Sequence, residues 1–301
     1  MNRHGMKINL KNRDAPCCVL GASLWRDCLI STPKKVLRMR KLTRKEIGNF
    51  RLDMMNVLAH SPDPFVSVMH LLAIDPCREF AKSLSAQTGK RITLTHVLNK
   101  LLAVAIAENP LYNQIILGNS VYQMEEIHIA NAFLLPGPEQ ALTSFVLGNP
   151  HLKSLEDIQE ELRILLEEKT REYMQSQNNF FHIVARLYFK TRLYKCISEK
   201  LTFTIGFQKG MSSNIMLSNH VYNKVPANFI VLKPVIAPIR IPIRVHPCGI
   251  IKQPHVEDGR LTTRGIMPFH VVIDHRIIHG IHVQQFGQSL ERITSNPEKY
   301  L

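Results

Sequence analysis

Residues 267–301 read MPFHVVIDHRIIHGIHVQQFGQSLERITSNPEKYL, and this stretch has the clearest structural pattern in the chain. Its first seven residues are mostly apolar, which predicts a buried strand that leads into the polar triplet Asp274-His275-Arg276. Four apolar residues then recur at helical spacing: Val283, Phe286, Leu290 and Ile293. Asn296-Pro297 ends the predicted helix, because proline cannot continue it. The stretch is therefore predicted to be a strand, a polar turn and an amphipathic helix.

Strands and helices also alternate through the preceding chain. The run FVSVMHLLAI at 65–74 predicts a buried strand, and LTHVLNKLLAVAIAEN at 94–109 predicts a buried helix. Between them, Asp75-Pro76 predicts a helix start with Asp75 as its N-cap, and Gly89 predicts its end. Further strands are predicted at 127–133, 141–147, 201–217 and 229–245, a long helix from Ser154, and a hairpin at Asp258-Gly259. The predicted class is α+β with a mixed sheet.

The composition excludes several classes of protein. The chain has 301 residues, 45% hydrophobic and 21% charged, which supports a large core and excludes a disordered chain or a collagen-like fibre. The longest apolar run, at 101–107, is far shorter than the roughly 20 residues of a membrane span. Six cysteines without a Cys-x-x-Cys pair indicate a reducing compartment. We therefore expect a cytoplasmic protein, with a mitochondrial location as the alternative.

Positive charge is concentrated at the start of the chain. The first 51 residues hold 13 Lys or Arg and three acidic residues, so they carry +10 of the net charge of +14. We interpret residues 1–40 as a basic N-terminal arm and 41–301 as one folded domain. Such an arm would be a solvated tail or would contact an anionic membrane surface or an acidic partner. Aromatic residues are only 7% and no nucleic-acid motif is present, so nucleic acid is not an expected partner.

The C-terminal stretch resembles the end of the 2-oxoacid dehydrogenase acyltransferases, whose signature is a strand, Asp-His-Arg-x-x-Asp-Gly and an amphipathic helix that ends at Asn-Pro. Asp274-His275-Arg276, Gly280 and Asn296-Pro297 match it. Upstream elements follow the family order, including the pair Ser218-Asn219, so the resemblance covers roughly residues 40–301. It implies that 41–301 form an acyltransferase catalytic domain. The implied fold is chloramphenicol-acetyltransferase-like, a two-layer α+β sandwich with a mixed sheet.

The resemblance also implies a reaction, the transfer of an acyl group between a thioester and a thiol. In the family, a histidine takes the proton of the coenzyme A or dihydrolipoamide thiol, and the thiolate attacks the acyl thioester. A thiol with an ordinary pKa of about 8.5 is mostly protonated at neutral pH, whereas an imidazole near 6.5 can accept its proton. The base then falls on His275, and the hydroxyl that stabilises the oxyanion falls on Ser218. A competing alignment would use the strand LTFTIGF, which lies further from His275 than the family's serine usually does. Coenzyme A is expected as a substrate.

One position departs from the family. The fifth residue after Asp274 is usually Asp, sometimes Asn, and here it is His279. The family's Asp is interpreted as the partner of an arginine that helps to hold the histidine loop. A neutral imidazole can donate one hydrogen bond but supplies no negative charge. Two interpretations stay open: an active enzyme with an altered loop, or a catalytically weak trimeric scaffold derived from the family.

The second departure concerns the other parts of these proteins. The family carries a lipoyl domain before the core, and about 40 residues are too few for one. We therefore expect no lipoyl-lysine in this chain, and acyl groups from a separate carrier or lipoyl protein or from free coenzyme A thioesters. The family's trimers place their sites between subunits, with the histidine from one chain and the serine from its neighbour, which implies a homotrimer or a multiple of three.

Two further segments contain residue types that occur in binding sites. FFHIVARLYFKTRLYKC, near 178–200, is basic and aromatic and is predicted to be a helical insertion. It would pack on the core, or dock an acidic carrier, membrane headgroups or coenzyme A phosphates. His246-Pro247-Cys248 lacks the partner spacing of a zinc site, and the chain has no His-Glu-x-x-His, P-loop or Gly-x-Gly-x-x-Gly, so no metal is expected.

Overall fold

The computed structural model describes residues 38–59, 64–134, 142–175, 213, 215–218, 241–257 and 259–301. The strands in these ranges are β1 (Met39–Lys41), β2 (Phe65–Ala73), β3 (Gln114–Leu117), β4 (Ser120–Met124), β5 (His128–Leu134), β6 (Leu142–Gly148), β7 (Ile215–Ser218), β8 (Ile243–Pro247), β9 (Ile251–Glu257) and β10 (Arg260–Asp274). The helices are α1 (Arg44–Ile47), α2 (Asn49–Ala59), α3 (Asp75–Thr88), α4 (Leu94–Glu108), α5 (Leu155–Gln175), α6 (Gly280–Ser295) and α7 (Pro297–Tyr300).

Seven of these strands form one mixed sheet, in the order β2-β10-β8-β7-β5-β6, and β9 pairs with the first half of β10. β7 runs parallel to both of its neighbours, β5 and β8, whereas the other pairs are antiparallel. Apolar side chains of the sheet and of the helices form one continuous core. This arrangement confirms the predicted two-layer α+β fold with a mixed sheet.

β10 lies inside the sheet, between β2 and β8, and every second side chain of its second half points into the core. Met267, Phe269, Val271 and Ile273 are almost completely buried in the core that α4 and α6 also line. Successive residues of a strand point to opposite faces, so these four share one face. The strand ends at Asp274, opposite Phe65 of β2. The Asp274-His275-Arg276 triplet therefore begins where a central strand leaves the sheet.

The predicted helices lie close to their expected positions. Phe286, Leu290 and Ile293 of α6 are buried, as their spacing predicts, and α6 ends just before Asn296. α3 ends at Gly89, whose φ of 67° suits a residue without a side chain. Asp75 was expected to be the N-cap of α3 and is instead its first helical residue. Its carboxylate does not cap the helix but accepts the backbone N–H of Gly265 (2.5 Å).

A second, three-stranded antiparallel sheet of β1, β4 and β3 was not predicted. Its strands have three to five residues, too short for an alternating pattern to stand out. Gly118, with a φ of 60°, lies in the tight turn between β3 and β4. β10 also begins at Arg260, seven residues earlier than predicted, because β9 extends it into a hairpin.

Several predictions fall on residues outside the described ranges. These are the arm up to residue 37, the insertion near 178–200, most of the strands expected at 201–217 and 229–245, and residues 219 and 258. Among the described helices, none is both long and apolar enough for a bilayer crossing.

Candidate active site

The loop between β10 and α6 is shaped by its aspartate and arginine. Asp274 is only 2% exposed, and its carboxylate accepts hydrogen bonds from Arg276 Nε (2.9 Å) and Nη2 (2.5 Å) and from the Arg276 backbone N–H (3.1 Å). The backbone N–H groups of Ile277 and Ile278 both donate to the Asp274 carbonyl. A charge-assisted pair that is largely buried holds one geometry well. Both charged residues of the triplet are therefore engaged in forming the turn.

His275 is fixed in the same turn by two hydrogen bonds. Its backbone N–H donates to the Pro64 carbonyl (2.8 Å), and its Nδ1 lies 2.8 Å from the Ile278 carbonyl. A carbonyl can only accept, so Nδ1 carries the hydrogen of the neutral ring. Nε2 is then left with a free lone pair. The ring is half-buried, and Nε2 is the atom through which it could accept a proton from a substrate.

His279 is the N-cap of α6 and exchanges hydrogen bonds with His282. Its side chain accepts the backbone N–H of His282, and His282 Nδ1 accepts the backbone N–H of His279 (3.1 Å). The His279 ring lies edge-on to that of His275, with 5.5 Å between centroids, and 5.3 Å from the Phe50 ring. It is 8% exposed. The residue that departs from the family is thus packed directly beside the candidate base.

The charges near His279 are positive. Burial, followed by the neighbouring His275 and His282, lowers the pKa of His279. Arg51 of α2 lowers it further, and also lowers the pKa of His282, for which burial is the larger cause. Arg51 donates from Nη2 to Gln114 Oε1 (2.6 Å), and burial lowers its own pKa. Arg51 is therefore an arginine whose charge acts on position 279, as the resemblance implies, but the residue at that position is an imidazole instead of a carboxylate.

Ser218 is not brought to His275 within one chain. It is the last residue of β7, where it pairs with Ala132 of β5. Through β8, the register places Leu217 beside Val245 and Val245 opposite Val271, so Ser218 lies near the level of His270. That is four residues, or about 13 Å, from the Asp274 end of β10. Gly280, by contrast, begins α6 beside the histidine loop and is exposed.

A second group of polar residues lies on the sheet and was missed by the sequence analysis. The rings of His246 and His270 are 5.8 Å apart on neighbouring strands, and the Ser67 hydroxyl hydrogen-bonds to His270 Nε2. Burial lowers the pKa of His270. The sequence alone does not show that these two histidines are neighbours, because their contact depends on how the two strands pair. Within the part of the chain that the structure describes, no three His, Cys, Asp or Glu side chains are placed to hold a metal ion.

The sequence profile of the 2-oxoacid dehydrogenases acyltransferase (catalytic domain) matches residues 40–180 and 231–301, more than half of the chain. The protein therefore belongs to this family of acyltransferase catalytic domains. Asp274, His275, Arg276 and His279 lie within the second matched segment, whereas Ser218 lies between the two. None of the curated proteins matches the chain.

Solved structures with the same fold include acyltransferases of two kinds. Dihydrolipoamide acetyltransferase of Azotobacter vinelandii has a TM-score of 0.59 at 18% identity, over 90% of this chain and 93% of that one. The cubic core of the pyruvate dehydrogenase multienzyme complex gives 0.58 at 18% identity, with the same two coverages. Chloramphenicol acetyltransferase gives 0.52 at 14% identity, over 85% of this chain and all of that one. These likenesses establish the chloramphenicol-acetyltransferase-like fold.

Proposed function

We propose that this protein is a coenzyme A-dependent acyltransferase in which His275 is the general base. The observation that carries the proposal is the hydrogen bond from His275 Nδ1 to the Ile278 carbonyl, because it leaves Nε2 as the proton acceptor. The Asp274–Arg276 pair fixes the turn that presents this ring. A base held in one tautomer and one orientation loses little freedom when the substrate thiol arrives.

In the proposed reaction, His275 Nε2 takes the thiol proton and the resulting thiolate sulfur attacks the carbonyl carbon of the acyl thioester. The carbonyl oxygen becomes an oxyanion, which a hydroxyl would stabilise. When the tetrahedral intermediate collapses, the other thiolate leaves and recovers the proton from Nε2. The acyl group has then moved from one sulfur to the other. The thiols would be coenzyme A and either lipoamide or another carrier on a separate protein.

The Azotobacter vinelandii relative supports these roles. Its structure was used to study a serine, a histidine and an asparagine in its catalytic mechanism, and the asparagine follows the histidine by four positions. His275 and His279 have the same spacing. We assign the hydroxyl to Ser218 of a neighbouring chain, since Ser218 and His275 are far apart within one chain. This assignment requires a homotrimer or a multiple of three.

The two cysteines in the described residues support a proposal for the compartment. Cys77 and Cys248 are buried and free, as expected of a chain that works under reducing conditions. We propose the cytoplasm, with the mitochondrion as the alternative.

The test is acyl exchange between acyl-coenzyme A thioesters and a second thiol, followed by mass spectrometry of the products. We expect His275→Ala to slow exchange by about 10²–10⁴-fold, the usual contribution of a general base. Ser218→Ala should slow it on the order of 10²-fold, as for loss of one oxyanion donor. His255→Ala, at an exposed position of β9, is the matched control and should exchange normally.

Mixing the two inactive variants tests the shared site. If one chain supplies His275 and its neighbour Ser218, random trimers of the variants should recover about a quarter of the wild-type sites. No recovery in trimers of confirmed mass would remove Ser218 from its proposed role. An unchanged rate in His275→Ala would overturn the proposal itself.

A catalytically weak scaffold is the second candidate, and the substitution at position 279 favours it. The charge of Arg51 acts on His279, which supplies no negative charge to orient the guanidinium. A wild-type protein that forms trimers in light scattering but transfers none of the acyl groups tested would support the scaffold.

A further inference from the structure

The start of α6 contains a buried donor with no acceptor. His279 is more than nine-tenths buried, and its side chain accepts the His282 backbone N–H. The Nε2 atom of His279 is buried and has no hydrogen-bond partner among the described residues, which leaves Nδ1 as the nitrogen that faces the His282 N–H. The neutral ring then carries its hydrogen on Nε2. An N–H group that is buried without an acceptor is rare in native proteins and costs about 1–3 kcal/mol.

Arg51 contributes a second donor of the same kind. Its Nη2 is satisfied by Gln114, but its Nε is buried and has no partner among the described residues. Arg51 acts electrostatically on His279 and on His282. Arg51 follows Phe50, whose ring lies 5.3 Å from the His279 ring, so the two donors without acceptors belong to helices that meet here, one to α2 and one to α6.

No negatively charged side chain lies in this region of the described structure. The first turn of α6 has no acidic residue, and the charged or titratable groups that act on His279 are His275, His282 and Arg51. The amino end of a 16-residue helix adds the positive end of its dipole. The apolar ring of Phe50 lies edge-on to His279, with 5.3 Å between the ring centroids. These donors suit an anion and exclude a cation.

We infer that Arg51, His279 and the start of α6 form a binding site for one small carboxylate anion. Its two oxygens would accept hydrogen bonds from Arg51 Nε and His279 Nε2, one each. A carboxylate suits this pair because it is an acceptor only and has two oxygens in one plane. A halide presents a single centre to two separate donors and is expected to bind more weakly.

The bound carboxylate would hold the ring of His279, and through it the ring of His275. The inference concerns binding and does not require catalytic activity. Anion binding is measured without acyl substrates, so a failure of the proposed reaction would not contradict it.

The experiment uses the full chain with ¹³C-formate at pH 7, and sodium chloride at equal ionic strength as the reference. NMR line broadening of formate and the thermal midpoint Tm are both recorded. We expect wild type to bind one formate per chain, and Tm to rise with the logarithm of formate concentration. Chloride at the same ionic strength should produce a smaller rise.

Two variants locate the site. His279→Asp places a carboxylate at the helix start, where Asp is a favoured cap, and should abolish formate binding while raising Tm without formate. Arg51→Gln removes the guanidinium donor and should abolish formate binding without placing a carboxylate at the site. His255→Asp makes the same change of charge on exposed β9 and should bind formate like wild type.

The inference fails if wild type binds no formate, or if chloride raises Tm equally. It also fails if His279→Asp and Arg51→Gln, folded as judged by circular dichroism, bind formate as tightly as wild type does. If an acidic side chain of a second copy already occupied the site, wild type would bind no formate, which is the first of these results.

Discussion

The helices α4 and α6 begin with the same hydrogen-bonding arrangement built from different side chains. At α4, the Thr93 side chain accepts the His96 backbone N–H, and His96 Nδ1 accepts the Thr93 backbone N–H (3.0 Å). At α6, His279 and His282 exchange the same two bonds. In both helices, the histidine in the third position must be neutral at Nδ1 to act as an acceptor.

The difference lies in the capping residue. A threonine hydroxyl is small and can rotate its hydrogen toward whatever acceptor is near. The His279 imidazole has a second nitrogen fixed on the far side of a rigid ring, and that nitrogen has no partner among the described residues. The start of α4 is therefore complete by itself, whereas the start of α6 needs a further group. Of the two, the incomplete cap is the one that contacts the candidate base.

The largest expected effect is the acid sensitivity of α4. Burial lowers the pKa of His96 from 6.5 to about 4. The unfolded chain therefore binds a proton on His96 at a higher pH than the folded chain does. This contribution to stability is fully present above pH 6.5 and is lost as the pH falls toward 4. Allowing for partial exposure of the ring, we expect a loss on the order of 2 kcal/mol.

His96→Gln tests this, since glutamine keeps an acceptor at that position but does not titrate. Urea unfolding between pH 7 and 4 should show a flatter profile for His96→Gln than for wild type. His255→Gln, on exposed β9, is the control and should follow wild type. An unchanged slope in His96→Gln would mean that other groups cause the acid sensitivity.

The next largest effect on stability is expected when the capping residue of α4 is replaced. Thr93→Ala removes the acceptor of the His96 N–H and should lower the free energy of unfolding by about 1 kcal/mol. Thr93→Ser keeps the hydroxyl and should cost less than half of that. Urea unfolding at pH 7 measures both. Equal losses in the two variants would show that the threonine methyl group, through packing, matters more than its hydroxyl.

The smallest expected effect comes from giving α6 the same residue pair as α4. His279→Thr keeps an acceptor for the His282 N–H and removes the donor that lacks a partner, but it loses the ring contact with Phe50. Removing the unsatisfied donor stabilises the fold by about 1 kcal/mol, and losing the ring contact costs about as much. We therefore expect the free energy of unfolding to change by no more than about 0.5 kcal/mol. Chemical unfolding without added carboxylate measures it. A loss well above 1 kcal/mol would contradict the idea that the imidazole nitrogen is unsatisfied.

The long elements could be predicted from sequence because their apolar spacing is repeated several times. β2, α4 and α6 each contain at least two turns or pleats of a regular pattern. β3 and β4 have too few residues for that, although Gly118-Asn119 between them is a two-residue hairpin signal that could have been read. The length of β10 depends on β9, a partner that its own sequence does not specify.

The candidate site was predictable only where it is continuous in sequence. Asp274, His275 and His279 follow one another in a recognisable motif. Arg51 is contributed by a different helix, and no spacing identifies which of the chain's many arginines lies beside position 279. The Ile278 carbonyl is a backbone atom and leaves no trace in the side-chain pattern. Both depend on how the completed fold turns the chain at the end of β10.

The pairing of β2 with β10 determines when this turn can form. Ser67 and His270, which share a hydrogen bond across these strands, are 203 residues apart, and the His275 backbone is tied to Pro64 just before β2. Closing so long a loop is slow compared with forming a local helix. During synthesis, β2 leaves the ribosome long before β10 and has no partner for its inner edge. The candidate base therefore acquires its position only after β10 has been synthesised and paired, and a nascent chain carries an open strand edge until then.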